Sequence, residues 1–128
     1  MSLLRLLHVD DEADIREIAA FSLELDPEIA VTSAASGDAA LEVLRAGAAI
    51  DVVLLDVMMP GMDGPETLRR LRETAGCEAI PVIFMTARAQ EGELDRYRAL
   101  GALDVIIKPF DPMTLAQQVR AVLAGAGQ

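Results

Sequence analysis

Five short apolar runs punctuate this chain at nearly even spacing: Leu3–Val9, Ile29–Ala35, Val52–Leu55, Val82–Met85 and Val105–Ile107. Between and after them lie helix-like patterns. Ile15, Ile18, Ser22 and Leu25 recur at i, i+3, i+7 and i+10, with Phe21 beside them. Leu68 and Leu71 mark a shorter stripe, and Arg69, Arg70, Arg72 and Glu73 read as its solvated face. Leu115, Val119, Val122 and Leu123 make the cleanest stripe of all. Punctuation agrees: Pro27 stops the first helix, Ser36-Gly37 opens the second, and Pro65 and Pro112 suit the first turns of the third and the last. Strands alternating with helices in this way imply right-handed βαβ units and a parallel sheet covered on both faces. Ile29–Ala35 is the most polar run, with Thr32 and Ser33 inside it, which suits an edge strand. The expected fold is α/β: a three-layer α/β/α sandwich with five helices and a five-stranded parallel sheet of order 2-1-3-4-5.

At 128 residues the chain has the size of one domain, and 52% hydrophobic residues can fill one core. Aromatics are only 3%, so that core must be aliphatic. The balance of 21 acids against 11 bases gives a net charge of -10. That argues against non-specific nucleic-acid or anionic-membrane binding, and favours cations or a basic partner face. The single cysteine, Cys77, excludes an internal disulfide and a thiolate metal cluster, and suits a reducing cytoplasmic setting. Leu3–Val9 is too short to span a membrane and is interrupted by Arg5 and His8, so no signal peptide or membrane anchor is expected.

In an open α/β sheet, chemistry collects beyond the carboxyl ends of the strands, near the switch point of the strand order. The residues just past the apolar runs are Asp10-Asp11 after the first, Asp56 after the third, Thr86 after the fourth and Lys108 after the fifth. Each has an ordinary reading alone. Asp10 or Asp11 could cap a helix, Asp56 could open the turn toward Pro60-Gly61, Thr86 could cap a helix, and Lys108 could be a solvated strand end. Together, in this topology, they converge on one crevice. Two carboxylates about 4 Å apart repel by about 4 kcal/mol at an effective dielectric near 20, so three require a compensating cation. The donors are all hard oxygens, which points to Mg2+ or Mn2+. His8 lies inside the first strand and reads as a packed side chain; Met58 and Met59 read as loop packing.

These residues also carry a resemblance. HVDDE (8–12), LLDVMMPGMDG (54–64), PVIFMTA (81–87) and GALDVIIKPF (101–110) resemble, in order and spacing, the receiver domains of two-component response regulators, over Leu4 to Leu123. The resemblance implies a flavodoxin-like receiver domain over residues 1–128, with a core of about 4–124 and no output domain within it. It implies Asp56 as phosphoacceptor, taking its phosphoryl group from a sensor histidine kinase or histidine phosphotransfer protein. Asp11, Asp56 and the backbone carbonyl of Met58 are implied as direct Mg2+ ligands, with Asp10 acting through water. Thr86, the Ala87 amide and Lys108 would hold phosphoryl oxygens. The bond from Lys108 to Pro109 would be cis. An output partner would read the surface of helix 4, strand 5 and helix 5.

Three positions depart from common receiver patterns. The switch aromatic three residues before the lysine is Val105 here, with Tyr97 on the preceding helix as a candidate partial substitute. Met58 and Arg88 occupy the two positions that tune phosphoryl lifetime. Neither can orient an attacking water as a carboxamide or carboxylate does, so slow self-dephosphorylation is expected. Two rival readings fit less well. A haloacid-dehalogenase-like hydrolase wants a second Asp where Met58 stands. A flavodoxin-like cofactor binder wants a Ser/Thr/Gly phosphate loop where Asp10-Asp11-Glu12 stand.

Overall fold

The computed structural model describes residues 3–87 and 90–126. Its elements run β1 (Leu4–Val9), α1 (Ala13–Leu23), β2 (Ile29–Ala34), α2 (Gly37–Arg45), β3 (Val52–Asp56), α3 (Gly64–Arg72), β4 (Val82–Thr86), α4 (Glu91–Ala99), β5 (Asp104–Ile107) and α5 (Leu115–Ala126). The five strands are all parallel, in the order β2-β1-β3-β4-β5. This is the expected doubly wound sandwich, with polar β2 at one edge.

Consecutive residues of a strand point to opposite faces, and both faces of this sheet are covered. On one face Leu7, Val9, Val53, Leu55, Val82 and Phe84 pack under α2, α3 and α4, which supply Leu41, Leu44, Leu68, Leu71 and Tyr97. On the other, Leu6, Val52, Leu54, Ile83 and Met85 meet Ala19 and Leu23 of α1 and Leu115 and Val119 of α5. Every residue of β3 and β4 is buried, so these central strands hold their ends rigidly. Caps agree with the punctuation. Ser36 Oγ accepts from the Ala39 amide at 3.0 Å, and Asp63 Oδ1 accepts from the Glu66 amide at 3.0 Å with Pro65 in the first turn.

Two expectations need correction. The α1 stripe faces the core only in part: Ser22 is buried beside Ala19 and Leu23 and Ile15 is half-buried, whereas Ile18, Leu25 and Phe21, the last 69% exposed, open to solvent. The helix carries two apolar faces, and periodicity alone does not tell which one the sheet takes. Arg72 is not part of a solvated face either. Its guanidinium donates to the carbonyls of Ile80 at 2.7 Å, Gly101 at 3.3 Å and Cys77 at 3.5 Å, tying α3 to the loops before β4 and β5. Burial pushes its pKa below the ordinary arginine value. Arg72→Ala leaves those carbonyls without this donor, and should cost about 2 kcal/mol in urea unfolding. Arg72→Lys should restore less than half, because an ammonium lacks the planar fork. Wild-type stability in Arg72→Ala would contradict the clamp.

His8 is fully buried in β1, and among the described residues neither ring nitrogen has a hydrogen-bond partner. Burial pushes its pKa down to about 4; Asp10 opposes this, while Lys108 and Arg16 reinforce it. The depressed value makes neutral His8 the folded form. Its contribution is therefore present above the unfolded value of 6.5 and is lost as pH falls toward 4, by about 3 kcal/mol. His8→Leu should flatten that acid limb in denaturation curves between those pH values. An unchanged limb would place the acid sensitivity elsewhere.

Candidate functional site: the acidic crevice at the strand ends

The register brings the strand ends level. Val9 sits opposite both Ala34 and Leu55, Asp56 opposite Met85, and Thr86 opposite Ile107. Asp10 continues the ladder, its amide donating to the Ala34 carbonyl at 3.1 Å, and the Lys108 amide donates to the Thr86 carbonyl at 2.8 Å. One crevice therefore receives Asp10, Asp11, Asp56 and Lys108. Asp10 is fully buried, Asp56 is 4% exposed, and Asp11 opens to solvent.

Neither Asp10 nor Asp11 caps α1; Glu12 is the N-cap residue. Asp10 Oδ1 instead accepts from the Glu12 amide at 2.9 Å, and its backbone carbonyl accepts from Arg16 Nη1 at 2.7 Å. Its other oxygen, Oδ2, lies 3.0 Å from Lys108 Nζ, which also stands 3.2 Å from Asp56 Oδ1. Burial pushes the Asp56 carboxyl above the usual range; Lys108 pulls it back, Asp10 pushes it further, and the Met58 amide steadies the carboxylate by donating to it. For Lys108, burial favours loss of the proton. The two carboxylates outweigh it, and its pKa ends above the ordinary lysine value.

Asp10, Asp11 and Asp56 can each turn one carboxylate oxygen to within 4.8 Å of the others. Three carboxylates against one adjacent ammonium leave a negative excess that a divalent ion balances. The oxygen-only donor set fits Mg2+ and offers nothing to a soft metal.

The remaining expected residues lie around this centre. Thr86 ends β4, buried; Ala87 follows it, exposed. The Lys108–Pro109 bond is cis. The Met58 side chain is 62% exposed at the rim. Val105 is half-buried against the same cluster as Tyr97. Arg88 lies outside the described residues.

Sequence reasoning passed over two supports. Arg16 pins the β1–α1 turn through the Asp10 carbonyl. Gly64 packs so close to the end of β3 that a Cβ there would stand 2.6 Å from the Asp56 carbonyl oxygen and 2.8 Å from Val57 Cα. The Asp63-Gly64 pair signals a turn in the sequence, but nothing local signals that approach.

The model for the "Response regulator receiver domain" family matches residues 6–120. The chain is 39% identical over 125 residues to the transcriptional regulatory protein ResD of Bacillus subtilis, covering 97% of this chain and 50% of that protein. It is 38% identical over 119 residues to the phosphate regulon transcriptional regulatory protein PhoB of Escherichia coli, covering 93% and 51%. It thus spans about half the length of the curated relatives it matches. Among solved structures, the chemotaxis response regulator CheY4 of Vibrio cholerae superposes with a TM-score of 0.85 at 30% identity, over 94% of this chain and 99% of that one. No helix among the described residues is long and apolar enough to cross a membrane. With its strand order, its acidic crevice and a family match along nearly its whole length, the chain belongs to the receiver domains of two-component response regulators, which are phosphoacceptor switches and not conventional enzymes.

Proposed function

We propose that Asp56 is the phosphoacceptor of this receiver, with Asp11, Asp56 and the Met58 carbonyl holding Mg2+ and Asp10 helping through water. The observation that carries the reading is the Lys108 ammonium between Asp10 and Asp56, at 3.0 and 3.2 Å, in a crevice with a third carboxylate beside it. An Asp56 oxygen attacks the phosphorus of a phosphohistidine on a kinase or phosphotransfer partner. The P–N bond breaks, and the imidazole leaves with the bonding pair. Lys108 steadies the negative charge of the transferring group, while the Met58 amide and the buried β3 fix the direction of attack. When bound, the ion supplies positive charge to the phosphoryl oxygens. Thr86 and the Ala87 amide then turn to the new acyl phosphate, and the α4–β5–α5 surface reports it to an output partner.

Access supports a helical donor. A groove of about 390 Å³ lined by Glu12, Ile15, Ile18, Lys108, Pro109 and Phe110 opens beside the crevice. Nucleic acid is not the partner this unit favours, with a net charge of -10, and its setting is cytoplasmic. Met58 offers no water-orienting group, so the phosphorylated form hydrolyses slowly, and Met58→Asn should shorten its lifetime.

The test is intact mass after exposure to acetyl phosphate with and without Mg2+. One phosphoryl group gained only with the metal, and none by Asp56→Asn, is the expected result. Labelling that persists in Asp56→Asn sinks the acceptor assignment.

A further inference from the structure

Among the described residues, two methionines stand open to solvent, and one of them is at the crevice. Met58 is 62% exposed, and Met113, just before α5, is 75% exposed. Met59 and Met85 are buried, and Met62 is half-buried. A thioether is oxidised where solvent carries the oxidant to its sulfur, so Met58 and Met113 are the open targets. Met58 lines a hollow of about 440 Å³ with Met59, Pro60, Gly61 and Asp63, room enough to admit a small peroxide.

Two further observations set Met58 apart. Its place in the chain is fixed: the preceding residue, Val57, donates its amide to the Met85 carbonyl at 3.0 Å, and its carbonyl accepts from the Gly64 amide at 2.9 Å. Met58 therefore follows directly from a held segment, two residues past Asp56. Its side chain also lies outside both apolar cores, whereas Met59 and Met62 pack into the cluster under α2, α3 and α4. A sulfoxide is polar and chiral, so forming one at Met59 or Met62 would break packing. At Met58 it changes the chemistry of the rim and leaves the core intact.

We propose that Met58 is a site of oxidation by hydroperoxides, and that its sulfoxide shortens the life of a phosphoryl group on Asp56. The inference rests on the proposed role of Asp56 as acceptor. The Met58 sulfur attacks the terminal oxygen of the peroxide, and the S–O bond forms as the O–O bond breaks. The proton on that oxygen passes to the departing alkoxide or hydroxide. Sulfur is oxidised by two electrons, and the peroxide is reduced to an alcohol or to water. A thioether accepts hydrogen bonds only weakly, whereas a sulfoxide oxygen accepts them well and can hold a water beside the acyl phosphate. That water attacks the phosphorus, the P–O bond to Asp56 breaks, and inorganic phosphate leaves as the carboxylate is restored.

The experiment treats the full chain with hydrogen peroxide and locates the added oxygen by peptide mass. Treated and untreated protein are then labelled with acetyl phosphate and Mg2+, the donor is removed, and loss of the phosphoryl mass is followed with time. Wild type should take up oxygen at Met58 and Met113 ahead of Met59 and Met62. Its oxidised form should lose the phosphoryl group about fivefold faster than the untreated form, the effect of one added hydrogen bond to the attacking water. Met113→Leu should repeat that acceleration. Met58→Leu, compared with itself before and after peroxide, should keep a single lifetime. Oxygen at Met58 with an unchanged lifetime overturns the inference while leaving Asp56 as acceptor. So does oxidation of Met59 or Met62 before Met58, an oxidised wild type that takes no label, or equal acceleration in Met58→Leu. No phosphoryl gain in untreated wild type removes the acceptor reading and this inference together.

Discussion

Asp56→Asn should gain no phosphoryl group from acetyl phosphate at any Mg2+ concentration that labels wild type, a loss limited only by the sensitivity of the mass measurement. A carboxamide oxygen keeps the shape of the side chain but lacks the charge that makes the carboxylate a nucleophile. The same change should stabilise the metal-free protein. Burial holds the Asp56 pKa above its unfolded value, with Asp10 adding to the shift and Lys108 opposing it. A raised carboxyl contributes stability that is present below the unfolded pKa and lost as pH rises through the folded one. At neutral pH the ionised Asp56 is therefore a liability that the amide removes. Without Mg2+, Asp56→Asn should melt above wild type; adding Mg2+ should raise wild type more than the variant and narrow the gap. Equal melting temperatures with and without the ion would contradict a metal site that includes Asp56.

Gly64→Ala should be the most damaging single-methyl change near the site. Its Cβ would enter within 2.6 Å of the Asp56 carbonyl oxygen and 2.8 Å of Val57 Cα, both backbone atoms at the end of a fully buried strand. The Gly64 amide already donates to the Val57 carbonyl at 2.9 Å, which fixes the two segments together. A flexible side chain could swing aside; backbone held by the core cannot. Overpacking of this kind should cost about 3 kcal/mol, read by urea unfolding. Because the displaced backbone carries Asp56, labelling should slow even at temperatures where the variant stays folded. A Gly64→Ala protein of wild-type stability and labelling rate would show that the loop can withdraw from the strand.

The legible parts of this chain were those governed by period and position. Apolar runs at strand spacing, with Ser36 and Pro65 at helix starts, specify the alternation, and the alternation specifies a sheet covered on both faces. From there, standing at the end of a strand was enough to nominate Asp10, Asp11, Asp56, Thr86 and Lys108. What stayed hidden depends on which surfaces meet. Exposed Ile18 and Phe21 are as apolar as the Ala19 and Leu23 that α1 buries, and only docking against the sheet and α5 separates them. Arg72 looks like its exposed neighbours Arg69 and Arg70, yet three carbonyls from distant segments claim it.

The sequence by itself determined the order of elements and the kinds of side chain at each strand end, because both follow from local pattern along one chain. Only the tertiary structure decided that the Lys108 ammonium bridges Asp10 and Asp56, that Gly64 leaves no room for a methyl, and that Tyr97 of α4 packs edge-on against Phe84 of β4. Those contacts join residues far apart in the chain, and their geometry exists only once the sheet register and the packing of helices on it are set.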